Sequence, residues 1–316
     1  MISEVLNSRT DSNNRSSNTV SRTYRLESRS ITWGFLSPWL LTLGLFWLWP
    51  LLYSFYLSFT SYKTLSNQMT WIGLGNYSRL FGDEVFWKAL VNTLIFVVGT
   101  IPFTTIFALL LAVLLNKNIA WKGFYRSGYF IPSVTSIVVL SLIFTNLYSH
   151  DGYINSLLKM VGLPWPKEGW LLNTGTALAA IMAMDVWIAI GYYTVLFLAA
   201  LQTIPNDLYE AASLDGATQW DQFRTVTLPG LRPMLLFIIV INTIRSFQVF
   251  TEVYVMTKGG PLNATTTLVY QVYEHAFERA DMMGYASAVA YVAFLLILAV
   301  SLVQFRLLGV NREVGS

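Results

Sequence analysis

Two charged residues stand where few charges survive. Asp185 lies in the apolar run 177–201 and Arg245 in the apolar run 233–256, each read as the one charge of its stretch. An ionisable group at the centre of a bilayer costs about 2.5–3.5 kcal/mol even on the lenient scales, so such residues mark a polar path or a buried pair. Helical spacing gathers other polar groups around both. Asn242, Arg245, Ser246 and Val249 fall at i, i+3, i+4 and i+7, with Gln248 on the flank; Asp185 and Tyr192 are two turns apart on one face, with Trp187 off to the side. A face carrying Asn, Arg, Ser, Asp and Tyr suits a polyhydroxyl ligand, because carboxylate and guanidinium bind hydroxyls and an aromatic ring can lie against a sugar. The same residues admit a structural Asp185–Arg245 ion pair fixing how two helices pack, and the two roles are compatible. Arg245 also leaves room for an anionic solute such as a sugar or glycerol phosphate.

The elements that must position these residues are membrane spans. Of 316 residues, 54% are hydrophobic and only 12% charged, about half the charge fraction of a soluble domain. A span needs about 20 apolar residues. Runs of that kind predict an all-α membrane protein with six transmembrane helices, near 34–59, 89–116, 127–150, 177–201, 233–256 and 282–305. Pro50 within the first predicts a kink there. Residues 1–30, rich in Ser, Asn, Thr and Arg, are expected to form a flexible cytoplasmic tail, 31–306 the transmembrane domain, and 307–316 a short C-terminal tail. Basic residues on the side of the termini (Arg9, Arg15, Arg22, Arg25, Arg29, Lys117, Lys122, Arg126, Arg224, Arg232, Arg306, Arg312) outnumber those opposite (Lys63, Arg79, Lys88, Lys159, Lys167, Lys258, Arg279). The positive-inside rule then places both termini in the cytoplasm of a plasma-membrane protein that crosses the bilayer several times.

Between the fourth and fifth runs lies a polar island, the loop 202–232. Pro205, Asp207 and Glu210 favour a helix start, Gly216 can take the left-handed turn that ends it, and Thr218 with Asp221 makes a capping box for a second helix toward Thr225. The island reads Glu210-Ala211-Ala212, three residues ending in Asp215, Gly216, nine residues, then Val226-Thr227-Leu228-Pro229. This resembles the coupling-loop motif of the membrane subunits of binding-protein-dependent ABC importers, with Val226 for the usual Ile. The first external loop, with Trp71 to Tyr77, Asp83, Phe86-Trp87 and Asn92-Thr93, is similar to the sugar-uptake branch of that family, in the subunit that pairs with a different sister permease. Gly259-Gly260-Pro261, with Asn263 and Thr265, strengthens the likeness.

The resemblance implies the type I importer permease architecture, a permease for a sugar, polyol or related carbohydrate in the inner membrane of a prokaryote, and Glu210, Ala211, Ala212, Asp215, Gly216, Leu228 and Pro229 as the coupling residues. It also implies a second permease subunit, two ATP-binding subunits that carry the ATP and Mg, and an extracytoplasmic solute-binding protein. This chain itself binds no cofactor and is not an enzyme. No phosphate-cradling Gly-x-x-x-x-Gly-Lys-Ser/Thr run exists, and no basic stripe with interleaved aromatics points to nucleic acid. The sequence lacks cysteine, and its two histidines, His150 and His275, are expected in loops. Asp151, Glu168, Glu274, Glu278 and Asp281 are expected on a solvated outer face. A stand-alone carrier using Asp185 as a protonatable group is the alternative from another class.

Overall fold

A computed structural model of the chain describes residues 31–63, 68–117, 120–278 and 282–308, excepting the Lys122 side chain. The two tails, 1–30 and 309–316, together with Arg279 and Asp281, lie outside the described residues. Among the described residues five helices are long and apolar enough to cross a membrane: Ile31–Ser58, Glu84–Asn116, Ala177–Leu201, Arg232–Met256 and Met283–Leu307. The first belongs largely to a compact unit of its own that ends at Tyr56. Within it the irregularity expected at Pro50 takes the form of a π-helical turn, Leu43–Leu48, just upstream. A proline has no N–H for the carbonyl four residues back, and a wider turn absorbs that loss.

The span expected at 127–150 is instead two helices, Lys122–Val134 (α1) and Ile137–Leu147 (α2), bent by 97°. The cause is local. Pro132 cannot donate to its own turn, and two hydroxyls take carbonyls that a continuing helix would have used: Ser133 Oγ donates to Phe130 O at 2.7 Å and Thr135 Oγ1 to Ile131 O at 2.8 Å. The all-α expectation also gives way at one point, where Thr60–Lys63 (β1) and Gln68–Trp71 (β2) pair antiparallel in the loop after the first span. Its β-branched and aromatic residues favour an extended pair over a helix.

The helix Glu84–Asn116 (α3) packs along Ala177–Leu201 (α4), and both bury the small and aromatic residues Ala108, Ala112, Ala189, Tyr193 and Phe197. The fifth span is discontinuous. Arg232–Phe247 (α5) stops at Gln248, and Thr251–Met256 (α6) resumes after Phe250 has swung to φ −143°. Polar and β-branched residues crowd this point, and a broken helix in a membrane is tolerated where its freed groups find partners. One does: Thr267 Oγ1 donates to Val249 O at 3.0 Å.

Motif residues at the start of α3 and those around the Gly-Gly-Pro run meet near this break. Asn92 Nδ2 donates to Asn263 O and Thr266 O at 2.9 and 3.0 Å, Lys88 Nζ donates to Leu262 O, and Thr93 Oγ1 accepts from Leu268 N at 3.1 Å. Lys258, Leu262 and Asn263 hold positive φ, a costly backbone that this set of donors fixes in place. His275 is not in a loop: it sits buried in the π-helical segment Glu274–Glu278 with its ring edge-on to Tyr285. His150 is in a turn, exposed, beside Asp151.

Candidate functional site

The break in the fifth span opens onto a cavity of about 360 Å³. Phe96 of α3, Ile137 of α2, Asp185 of α4, and Arg245, Ser246, Gln248 and Glu252 from the two halves of the broken span contribute to its lining. Asp185 is buried and accepts a 2.6 Å hydrogen bond from an Arg245 terminal nitrogen, so the pair anticipated from the sequence is formed. The guanidinium is half-buried and also forms part of the cavity wall. Ser246, fully enclosed, shares a 3.2 Å hydrogen bond with Thr100 of α3.

Three residues depart from the sequence reading. The run 233–256 holds a second charge, Glu252, 5% exposed, whose carboxyl lies against Asp185 and feels Arg245. It stands seven residues after Arg245, two helical turns on, so counting charges within the span would have found it. Asn242 does not face the cavity: it is fully buried, and among the described residues neither its amide nitrogen nor its oxygen has a hydrogen-bond partner. Tyr192 is 47% exposed and not in the cavity wall, while its neighbour Tyr193, 1% exposed, brings its hydroxyl to Arg245. At 3.6 residues per turn Tyr192 falls about 20° from Asp185 around the helix and Tyr193 about 80°, so spacing favoured Tyr192, the tyrosine that does not reach the pair.

The polar loop folds much as its sequence says. Asn206–Leu214 (α7) follows Pro205, Gly216 takes φ +80°, and Thr218 caps Gln219–Gln222 (α8) through a complete capping box with Asp221. The second helix does not run smoothly to Thr225; it passes into a π-helical turn, Phe223–Thr227, and then a short turn, Leu228–Gly230, that leads into α5. Tyr209 and Thr227 hydroxyls meet at 3.0 Å, and Gln222 Nε2 donates to Ser213 Oγ at 2.9 Å, so the two helices form one knuckle. Thr218 hydrogen bonds hold the Asp221 carboxyl below the usual carboxylate range. Glu210, Ala211, Asp215, Gly216, Leu228 and Pro229 are exposed, Ala212 is half-buried, and Leu214 and Trp220 present apolar surface at 90% and 68% exposure. A helical knuckle with exposed apolar knobs beside carboxylates is a surface shaped for another chain.

Residues 72–309 match the family model described as binding-protein-dependent transport system inner membrane component. The chain belongs to that family. The permease is 37% identical over 276 residues to the lactose transport system permease protein LacF of Rhizobium radiobacter, covering 86% of this chain and 92% of that one. It is 33% identical over 285 residues to the arabinooligosaccharides transport system permease protein AraP of Bacillus subtilis, covering 89% of each. Its fold is that of a chain in the crystal structure of a bacterial ABC transporter involved in import of the acidic polysaccharide alginate, with TM-score 0.78, 22% identity, and coverage of 93% of this chain and all of that one. It is thus an inner-membrane permease subunit that crosses the bilayer several times.

Proposed function

We propose that this permease carries an uncharged sugar, polyol or short oligosaccharide, as half of a pore completed by a second permease subunit. ATP is hydrolysed by two separate subunits gripping the Glu210–Pro229 knuckle, and solute arrives on an extracytoplasmic binding protein. Both termini and the knuckle are cytoplasmic, and the six-span domain covers 31–306 with the bent pair α1–α2 as its third crossing. The relatives named for lactose and arabino-oligosaccharides support the carbohydrate class.

The observation that carries the choice of an uncharged solute is the Asp185–Arg245 pair with Glu252 beside it. Among the described residues the one cation in the cavity wall is already met by a carboxylate, and a second carboxyl stands behind, which leaves no free positive charge among them for a phosphate. Hydroxyls can still bridge to the outer lone pairs of the carboxyls, to the free guanidinium N–H groups, to Gln248 and to Ser246. The sugar-phosphate alternative therefore loses its anchor. The stand-alone carrier loses its lone carboxylate, since Asp185 is bonded to Arg245 at 2.6 Å.

Transport follows as a two-state exchange of the cavity between the two sides of the membrane. Closure of the ATP-binding subunits moves the knuckle, and its helical continuation into α5 carries that motion to Arg245 and Glu252. Linkage requires the loaded binding protein to favour the state that ATP favours. The test is to tag the chain, extract it gently from its native membrane and identify what remains bound. The complex is then reconstituted and assayed for ATP-dependent uptake of neutral saccharides against sugar phosphates. Co-purification of an ATP-binding subunit and a second permease, with uptake of neutral sugar, supports the reading. Solute movement by the chain alone without ATP, or a preference for the phosphate, overturns it.

A further inference from the structure

At the opposite end of α4 from the Asp185 cavity, the chain holds a second polar site that solute transport does not use. A Cβ at Gly191 would stand 2.2 Å from Tyr129 O, so the missing side chain is what lets α1 lie directly against α4. This close approach leaves a groove on each side of α1. The first, about 240 Å³, lies between α1 and the end of α4 and is walled by Arg126, Tyr129, Val195, Leu198 and Gln202. In it the Arg126 Nε and the Tyr129 hydroxyl are shielded from solvent with no hydrogen-bond partner among the described residues. Among the described residues no carboxylate lies within ion-pair distance of Arg126. Buried donors without acceptors are costly, and two in one groove call for an acceptor-rich, negatively charged occupant.

The second groove, about 450 Å³, lies between α1 and the end of α3, with Leu111, Leu114, Leu115, Phe124 and Gly128 in its wall. It is almost wholly apolar, and the two grooves share Tyr129. Gly128 leaves it open, for an added Cβ there meets nothing within 4 Å. Around its mouth Trp121, Phe124 and Tyr125 are exposed, the aromatic belt expected where a helix meets the headgroup level, and Lys117 adds positive charge.

We propose that these grooves hold one anionic phospholipid of the surrounding bilayer, its phosphate on Arg126 Nε and the Tyr129 hydroxyl, with Gln202 at the same wall, and an acyl chain along Leu111, Leu114 and Gly128. Basic pockets between spanning helices recognise acidic headgroups in this way. A free phosphate would satisfy the first groove and leave the second empty; a lipid fills both. The leaflet, though not the site, rests on the proposed orientation, which makes it the cytoplasmic one. A lipid bound here would brace α1 against α3 and α4 close to where the knuckle begins.

The test uses the intact importer, purified with its partner subunits. Native mass spectrometry is expected to find phosphatidylglycerol retained through a delipidating wash. Thermal melting is expected to rise with added phosphatidylglycerol and not with phosphatidylcholine, inorganic phosphate or glycerol 3-phosphate. Arg126→Gln, which removes the charge, and Gly128→Leu, which fills the apolar groove, should each weaken phosphatidylglycerol retention about tenfold, while ATP-dependent uptake remains measurable. Equal response to both lipids overturns the proposal even if neither variant can be produced. So does stabilisation by the soluble phosphates that Gly128→Leu leaves unchanged, or a photo-crosslinker at position 126 that captures a partner subunit instead of lipid.

Discussion

The cavity beside the broken fifth span and the knuckle in the loop 202–232 are both polar, yet they are built on opposite terms. In the cavity, charges are buried and satisfied by one another across three helical segments: Asp185 comes from α4, Arg245 from α5 and Glu252 from α6. In the knuckle nearly everything polar is exposed, and the bonds that set its shape, Thr218 with Asp221 and Gln222 with Ser213, close within ten residues of chain. The cavity therefore depends on the assembly of the spans. The knuckle depends on local chemistry, with Leu214 and Trp220 left exposed for the proposed ATP-binding partner. Substitutions should separate the two, the first by failing to assemble and the second by assembling without working.

The largest effect is expected from Arg245→Leu. It leaves Asp185 buried with no cation and Glu252 against it, and breaking a buried pair in this way costs about 3–5 kcal/mol. Because the guanidinium is half-exposed to the cavity, the loss should lie toward the lower end of that range. The readout is the fraction of importer recovered as an intact complex in detergent. Asp185→Asn combined with Arg245→Gln should restore most of it, since no charge is then stranded. If Arg245→Leu alone assembles like the parent, the pair is not what holds α4 to α5. A changed substrate preference in the assembled double variant would show that the pair also contacts solute.

Next comes the other side of the comparison. Gly216→Pro places a residue fixed near φ −65° where the chain needs φ +80°, so the first knuckle helix can no longer end as it does. The spans do not depend on that turn, and the complex should assemble normally while losing at least tenfold in stimulation of ATP hydrolysis by the loaded binding protein. Coupled ATPase and uptake assays on the same preparation check this. Full coupling in that variant would remove the knuckle from its proposed role. Glu252→Gln sharpens the contrast from within the cavity: it keeps the Asp185–Arg245 bond, so assembly is retained, and uptake of neutral sugar should fall several-fold through the lost hydroxyl acceptor.

These expectations also show what the residues revealed before any coordinates. The knuckle was legible almost letter by letter because a positive-φ glycine and a capping box act through neighbours in sequence. The spans were legible as apolar runs, apart from the bend between Val134 and Ile137, where the nearby Pro132 was visible but the hydroxyls of Ser133 and Thr135 act through the folded turn. In the cavity, polar residue types could be recognised and their geometry could not. Asn242 and Ser246 share a helical face by count, yet only Ser246 reaches the cavity wall, because the helix ends two residues later and the chain turns away. Tyr193 and Glu252 differ in this respect: helical spacing pointed to Tyr192 rather than Tyr193, whereas Glu252 was open to a plain count of the charges in the run 233–256.

The smallest predicted effect probes how local the knuckle is. Thr218→Ala removes the hydroxyl that accepts from Asp221 N and donates to the Asp221 carboxylate, leaving the helix start at Gln219 with an unpaired N–H. Exchange of the Trp220 to Gln222 amides should quicken several-fold, with no change in complex assembly or in exchange of the spans. The same bonds fix a pH dependence. Asp221 is held below its ordinary carboxylate range by Thr218, so its folded form binds a proton less readily than its unfolded form. Its contribution to the knuckle is complete above the unfolded value of about 4. It is lost as pH falls through the lowered folded value. Protection of these amides should therefore be flat through the neutral range in the parent and already low in Thr218→Ala at pH 7. A loss in the parent between pH 8 and 6 would mean that a different group, supplied from outside the knuckle, holds this helix end in place.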